Sequence, residues 1–295
     1  MKKTVFLILF ATIGLLQLNA QTTINVPADY GTIQEAINAA STGDVINIAA
    51  GTFTENININ KRVNINGSGS GIDGTIITQT TSGAGDSKIG VIQLNASGLN
   101  DANRIIIQNL RIEPQGMAGI SVGRFSEGSG TNVSYYSFNN INVIGTNTNP
   151  STEQERGFYV DLTSTASYFS FTNCAFNNLT YGWYTQKAVS EDASNFINVS
   201  VENTSFNHNN HKGLYVEKLS HATFSNCQVN NNGFDASVLP SYFQAWSAGI
   251  DINLKAGNYT QFIFNSCTIQ NNGTGGAWEG VGISIKGRGT GTNPS

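Results

Sequence analysis

The residues most able to do chemistry sit in a short recurring pattern, Gly-apolar-x-apolar-x. It begins at Gly119, Gly157, Gly182, Gly213, Gly249 and Gly282. Read as strands, successive side chains alternate between two faces. The apolar set (Ile120/Val122, Phe158/Val160, Trp183/Thr185, Leu214/Val216, Ile250/Ile252, Ile283/Ile285) then turns inward. The outward pairs are Ser121/Gly123, Tyr159/Asp161, Tyr184/Gln186, Tyr215/Glu217, Asp251/Asn253 and Ser284/Lys286. If these strands stack in register, Tyr159, Tyr184 and Tyr215 form an aromatic column. A polar column of Asp161, Gln186, Glu217, Asn253 and Lys286 runs beside it. Aromatic rings stack on the C–H faces of sugars, and amides and carboxylates bond their hydroxyls, so such a strip suits a polysaccharide. Tyrosine also favours strands for packing reasons alone, and outward tyrosines that merely cover their neighbours are the competing reading. Three longer segments, Gly145–Arg156, Gly233–Ala248 and Gly273–Val281, precede this strand type and would wall the same face. Their Trp246 and Trp278 are sugar-stacking candidates, unless they fold back beneath their own loops.

Catalytic residues are less well marked. The candidates are Asp161, Glu217, Asp251 and Lys286. Glycoside hydrolysis needs two carboxylates at a set separation. Asp161 and Glu217, two coils apart, would be roughly 10 Å from one another by strand spacing. A lyase needs a base, and Lys218, Lys255, Lys286 and Arg288 offer cations without singling one out. His208 and His211 lie in an Asn-rich turn and read as solvated surface. No cofactor is indicated. Outward Asp and Asn could supply oxygen ligands to Ca²⁺, but no dense acidic cluster calls for it.

The elements that must position these residues come from the composition and the repeats. Only 12% of the chain is charged, 15 Lys+Arg against 19 Asp+Glu, while 38 residues are Asn and 32 are Gly. A disordered chain usually carries more charge or proline, and a helical bundle draws on Ala, Leu, Glu and Lys. Fifteen cations spread along the sequence form no basic run for nucleic acid. Thr32-Ile33-Gln34-Glu35 reads as a capping box opening one short amphipathic helix at 32–40. Beyond it, short Ile/Val runs alternate with Asn and Gly. From residue 105 a second motif, apolar-x-Asn-small-x-apolar, returns with Asn109, Asn140, Asn173, Asn203 and Asn226 at one position and Ser266 in the sixth copy. Fixed strands joined by variable spacers, with Asn at the corners, are the mark of an all-β parallel β-helix. Asn suits such corners because it tolerates the left-handed backbone conformation. Cys174, Cys227 and Cys267 share the repeat position of Leu110, Ile141 and Thr204, and so read as small core residues rather than disulfides or metal ligands.

The opening segment, Ala28-Asp29-Tyr30-Gly31-Thr32-Ile33-Gln34-Glu35-Ala36-Ile37 with Gly51-Thr52-Phe53-Thr54-Glu55, resembles that of pectin methylesterases in the pectin-lyase-like superfamily. The later repeats resemble its generic repeats. The resemblance implies a single-stranded right-handed parallel β-helix, with the short N-terminal helix capping one end. It carries over no catalytic residues. Gln261-Phe262-Ile263-Phe264-Asn265 lacks the methylesterase Asp, and Met117-Ala118-Gly119-Ile120-Ser121-Val122-Gly123 has Ala118 where polygalacturonases have His.

Residues 1–20, a basic start, an apolar run and a small-residue ending, read as a secretory signal peptide. The expected domain is the β-helix at 21–295, either truncated at Ser295 or followed by a further C-terminal domain, because an uncapped terminal coil is a sticky edge. No later segment is apolar enough to span a membrane. Together these readings lead to the expectation of a secreted or cell-surface β-helix protein that binds polysaccharide along its outer face. The alternatives are a polysaccharide lyase or glycosidase of the same fold, and a structural adhesin or spacer.

Overall fold

The computed structural model describes residues 21–79, 90–123, 130–146, 155–187, 195–234, 247–274 and 280–288. The expected signal segment, Trp246 and Trp278 lie outside the described residues.

Every strand pairing is parallel, and strands pair with their equivalents in the adjacent coils. This is a parallel β-helix. Its first sheet stacks nine strands, running from Thr23–Val26 and Val45–Ile48 through Ile105–Glu113, Asn132–Ile144, Thr165–Thr172, Phe196–Glu202 and Leu219–Ser225 to Phe262–Asn265. A second face holds shorter pieces such as Thr75–Thr78, Ala175–Asn177, Gln228–Asn230 and Thr268–Gln270. The third sheet stacks eight strands: Ile57–Ile59, Gly90–Leu94, Ala118–Val122, Arg156–Val160, Tyr181–Thr185, Lys212–Val216, Ser247–Lys255 and Gly280–Arg288. Each return to the same sheet is a parallel crossover, for which the right-handed sense is the rule.

The corners are built as the Asn repeat requires. Asn109, Asn140, Asn173, Asn203, Asn226 and Ser266 all have φ between 49° and 58°. Their amides bond along the axis, Asn140 Nδ2 to Asn109 Oδ1 at 2.9 Å and Asn203 Nδ2 to Asn173 Oδ1 at 3.3 Å. At the next corner the left-handed residues are Asn178, His208, Asn231 and Asn271. One position later comes a buried ladder. Asn209 Nδ2 donates to Asn232 Oδ1, and Asn232 Nδ2 to Asn272 Oδ1, both at 2.9 Å. Asn232 is the middle member, bonded to Asn209 on one side and to Asn272 on the other.

Inside, Ile and Val fill the early coils and aromatics the later ones. Phe138 stacks on Phe171 at 4.8 Å, Phe176 on Phe206 at 5.5 Å and Phe224 on Phe264 at 5.0 Å. Full burial of such a side chain contributes about 1.5–3 kcal/mol. Cys174 and Cys227 are buried free thiols in this core, and burial pushes both up to about 12. Cys267 is half-buried in the last described coil.

The helix spans Ile33–Ala39 with the expected capping box at Thr32 and Glu35. It packs on strands Thr23–Val26, Val45–Ile48 and Ile57–Ile59, and Ile33, Ala36 and Ile37 join the core. Glu55 accepts the free N–H groups of Ile33 (2.9 Å) and Gln34 (3.0 Å), placing a carboxylate at the positive end of the helix. At the other end, the inward side chains of the last coil, Ile283 and Ile285, are exposed.

Candidate functional site

The register of the third sheet makes the outward columns real. Tyr159 pairs with Tyr184, Tyr184 with Tyr215, Tyr215 with Asp251 and Asp251 with Ser284. The Tyr159 and Tyr184 ring centroids are 6.0 Å apart, those of Tyr184 and Tyr215 5.0 Å.

The column is not an open strip along its length. Tyr159 is fully buried, with its hydroxyl 2.9 Å from both Asp161 Oδ1 and Gln186 Oε1. Asp161 is buried with it. These two sequence candidates support the site from below instead of facing it. Tyr184 and Tyr215 are half-buried and line a groove of about 280 Å³ with Glu217, Asp251 and Lys286. The structure therefore brings together five of the seven described candidates from different coils.

Sequence alternation missed a third outward column. The residue before each glycine should point inward, yet the Arg156 guanidinium lies 4.8 Å from the Tyr184 ring centroid, and Lys212 Nζ lies 4.6 Å from that of Tyr215. The glycine is where alternation breaks. A Cβ at Gly157 would collide with the carbonyl oxygen of Gly182, and one at Gly182 with that of Gly213. Neighbouring coils approach too closely there for any side chain. The interruption turns Arg156, Tyr181 and Lys212 to the outer face. Glycine recurring inside a strand pattern is the signal that could have revealed it.

Two acid–base pairs occupy the groove. Lys212 Nζ is 2.5 Å from Asp251 Oδ2, with both side chains buried. Among the described residues Asp251 Oδ1 has no hydrogen-bond partner, although Lys286 Nζ is 4.0 Å away. Glu217 is held from several sides: Lys255 Nζ and the Tyr215 hydroxyl each lie 2.6 Å from Oε1, and Lys187 N donates to Oε2 at 2.8 Å. Asn253 Nδ2 donates to the Tyr215 hydroxyl at 2.8 Å. Burial, and then the Glu217 charge, raise the Tyr215 phenol far above its ordinary value. Tyr215 is therefore a hydrogen-bond donor at neutral pH, not a base.

His211, which reads as solvated from sequence, is buried, with Nδ1 2.7 Å from the Tyr181 hydroxyl. Beneath the groove, Lys218 donates to the carbonyls of Asp161 and Ser164, and burial lowers its amine to about 7. Among the described residues no group of three His, Cys, Asp or Glu side chains could hold a metal ion. No described helix is long and apolar enough to cross a membrane.

No family model and no curated protein matches the chain. Among solved structures it is similar to ORF18 of Geobacillus virus E2, with 16% identity, TM-score 0.41, and coverage of 83% of this chain and 60% of that one. It is also similar to pectate lyase Pel9A (11%, TM-score 0.41, covering 82% and 62%). A third is the A-module of mannuronan C-5 epimerase AlgE4 from Azotobacter vinelandii (12%, TM-score 0.23, covering 89% and 93%). The chain spans about three-fifths of the length of the first two.

Proposed function

We propose that the groove on the third sheet binds a segment of an acidic polysaccharide, with Tyr184 and Tyr215 as the stacking wall. One observation carries the reading. Half-exposed, mutually stacked tyrosines line a groove whose charged side chains, among the described residues, are four cations, Lys212, Lys255, Lys286 and Arg288, against two carboxylates, Glu217 and Asp251. Tyrosine gives contact area at low entropic cost, and the excess positive charge attracts a polyanion. The cations at the rim, Lys286 and Arg288, keep exposed surface with which to meet it. Export, as residues 1–20 suggest, would bring the protein to such polymers.

Affinity electrophoresis in gels containing polygalacturonate, alginate or an uncharged polymer tests the reading. The expected result is retardation by at least one acidic polymer that weakens with added salt. Equal mobility in all gels would refute it.

A second reading, catalysis, is favoured by Asp251. A buried carboxylate oxygen without a hydrogen-bond donor among the described residues, in a polar groove beside two lysines, is an acceptor suited to a bound hydroxyl. In this reading the bound polymer is cleaved by a lyase or glycosidase reaction. New unsaturated ends (by ultraviolet absorbance) or reducing ends from the polymers that bind would establish it. Binding without either product leaves the protein a non-catalytic module.

A further inference from the structure

The first sheet carries a column of left-handed residues that the Asn repeat does not explain. Tyr135, Tyr168, Asn198, His221 and Gln261 occupy equivalent positions in successive coils, with φ between 51° and 60°. This conformation is uncommon for a bulky residue and suits Asn, the residue found there in the coil after Tyr168. The two tyrosines are not core residues. Tyr168 is 37% exposed, and the rings stack on each other at 4.6 Å with planes only 9° apart. The stack runs along the axis, so the free face of Tyr168 is turned toward the coil of the smaller Asn198.

Beside this column lies a second. Ser137, Ser170, Ser200 and Thr223 are in register, one hydroxyl per coil, about 4.8 Å apart. A shallow groove of about 390 Å³ joins the two, lined by Arg104, Ser170, Asn198, Ser200, His221 and Thr223. Arg104 fixes the tyrosine bend by donating to the carbonyls of Tyr136 (2.9 Å) and Tyr168 (2.5 Å), and its charge is met by Asp101 at 2.6 Å. Along the outward side of Asn132–Asn139, Thr165–Thr172, Phe196–Glu202 and Leu219–Ser225, the single Asp, Glu, Lys or Arg is Glu202. The face thus offers aromatic surface, hydroxyls and amides, but no net field for a charged ligand.

We infer that this face is a second binding surface, specific for an uncharged polysaccharide chain. A sugar ring packs on the free face of Tyr168, and its hydroxyls bond Ser170, Asn198, Ser200 and Thr223. The surface lies on a different sheet from the tyrosine groove and stands whether or not that groove binds an acidic polymer. If both operate, the rod joins two chemically different polymers.

The test is affinity electrophoresis of the full chain in gels containing hydroxyethylcellulose, galactomannan or laminarin. The comparison is with a Tyr135→Asn/Tyr168→Asn variant, in which the backbone keeps a residue suited to its conformation, and with Ser200→Arg, which fills the groove from an exposed position. Wild type should be retarded by at least one of these polymers. Both variants should lose at least about tenfold in affinity while keeping the thermal midpoint of the wild type and its mobility in acidic polymers. Failure of all three polymers to retard the wild type, or undiminished retardation of both variants, would overturn the proposal.

Discussion

Tyr184 stacks on Tyr215 across adjacent coils, ring centroids 5.0 Å apart and planes inclined by 25°. The β-helix makes this contact automatic, because residues in register in neighbouring coils differ in position by one strand spacing. Each ring also has its own tether. Gln186 Nε2 donates to the Tyr184 hydroxyl at 3.1 Å, and Tyr215 is fixed between Glu217 and Asn253. The wall of the groove is therefore set before any ligand arrives, which lowers the ordering cost of binding.

The Lys212–Asp251 pair is the groove's most consequential ion pair for stability. Removing one partner leaves the other as a buried charge, which typically costs 3–5 kcal/mol. Lys286, 4.0 Å from Asp251, offsets part of that cost. Lys212→Met should lower unfolding free energy by about 3 kcal/mol in urea denaturation. Adding Asp251→Asn should recover most of the loss. Equal stability of Lys212→Met and wild type would show that the pair is not formed.

Lys218 gives the protein a pH dependence of known sign. Its amine titrates near 7 when folded, against an ordinary value of 10.5, because burial disfavours the charge. Between these values the unfolded chain binds more protons than the folded one, so stability rises with pH. Below about 7 both states are protonated and the full cost of the buried charge is present. A neutral amine keeps two N–H groups, matching the carbonyls of Asp161 and Ser164. Thermal midpoints measured from pH 7 to 9 should rise for wild type, and less steeply for Lys218→Met. Parallel profiles would refute the assignment.

The two kinds of Asn corner should respond differently to substitution. Asn232 is fully buried, donates to Phe206 O and Asn272 Oδ1, and accepts from Asn209 N and Nδ2. Asn232→Leu strands several of these groups, at about 1–3 kcal/mol each. Asn140 is half-exposed, has a φ of 54°, donates from Nδ2 to Asn109 Oδ1 at 2.9 Å and accepts from Ser70 Oγ at 2.7 Å. Asn140→Gly keeps the backbone conformation but loses both half-exposed bonds, so it should cost about 1 kcal/mol, and Asn140→Ala about 1–2 kcal/mol more for the left-handed backbone. Chemical denaturation of the three variants checks the order.

Much of this architecture was legible in the sequence, because the repeat fixes the register. The corner asparagines, the three core cysteines and the pairing of Tyr159, Tyr184 and Tyr215 follow from periodicity, and the helix cap from the Thr32/Glu35 motif. Depth was not legible. Tyr159 and Tyr215 occupy equivalent positions, but one is sealed and the other lines a groove. Nor does strict alternation survive a glycine at which neighbouring backbones touch, which hid Arg156, Tyr181 and Lys212. The cations looked scattered because Lys212, Lys255 and Lys286 are far apart in the chain. Coiling gathers them around one groove.

The most direct measurement of the account is the affinity of a Tyr184→Ala/Tyr215→Ala variant for the acidic polymer that retards the wild type. Each aromatic contact is worth on the order of 1 kcal/mol, so the double variant should bind at least about tenfold more weakly, with circular dichroism still showing the folded β-helix. Wild-type affinity in a folded Tyr184→Ala/Tyr215→Ala protein would contradict the assignment of the groove as the binding site.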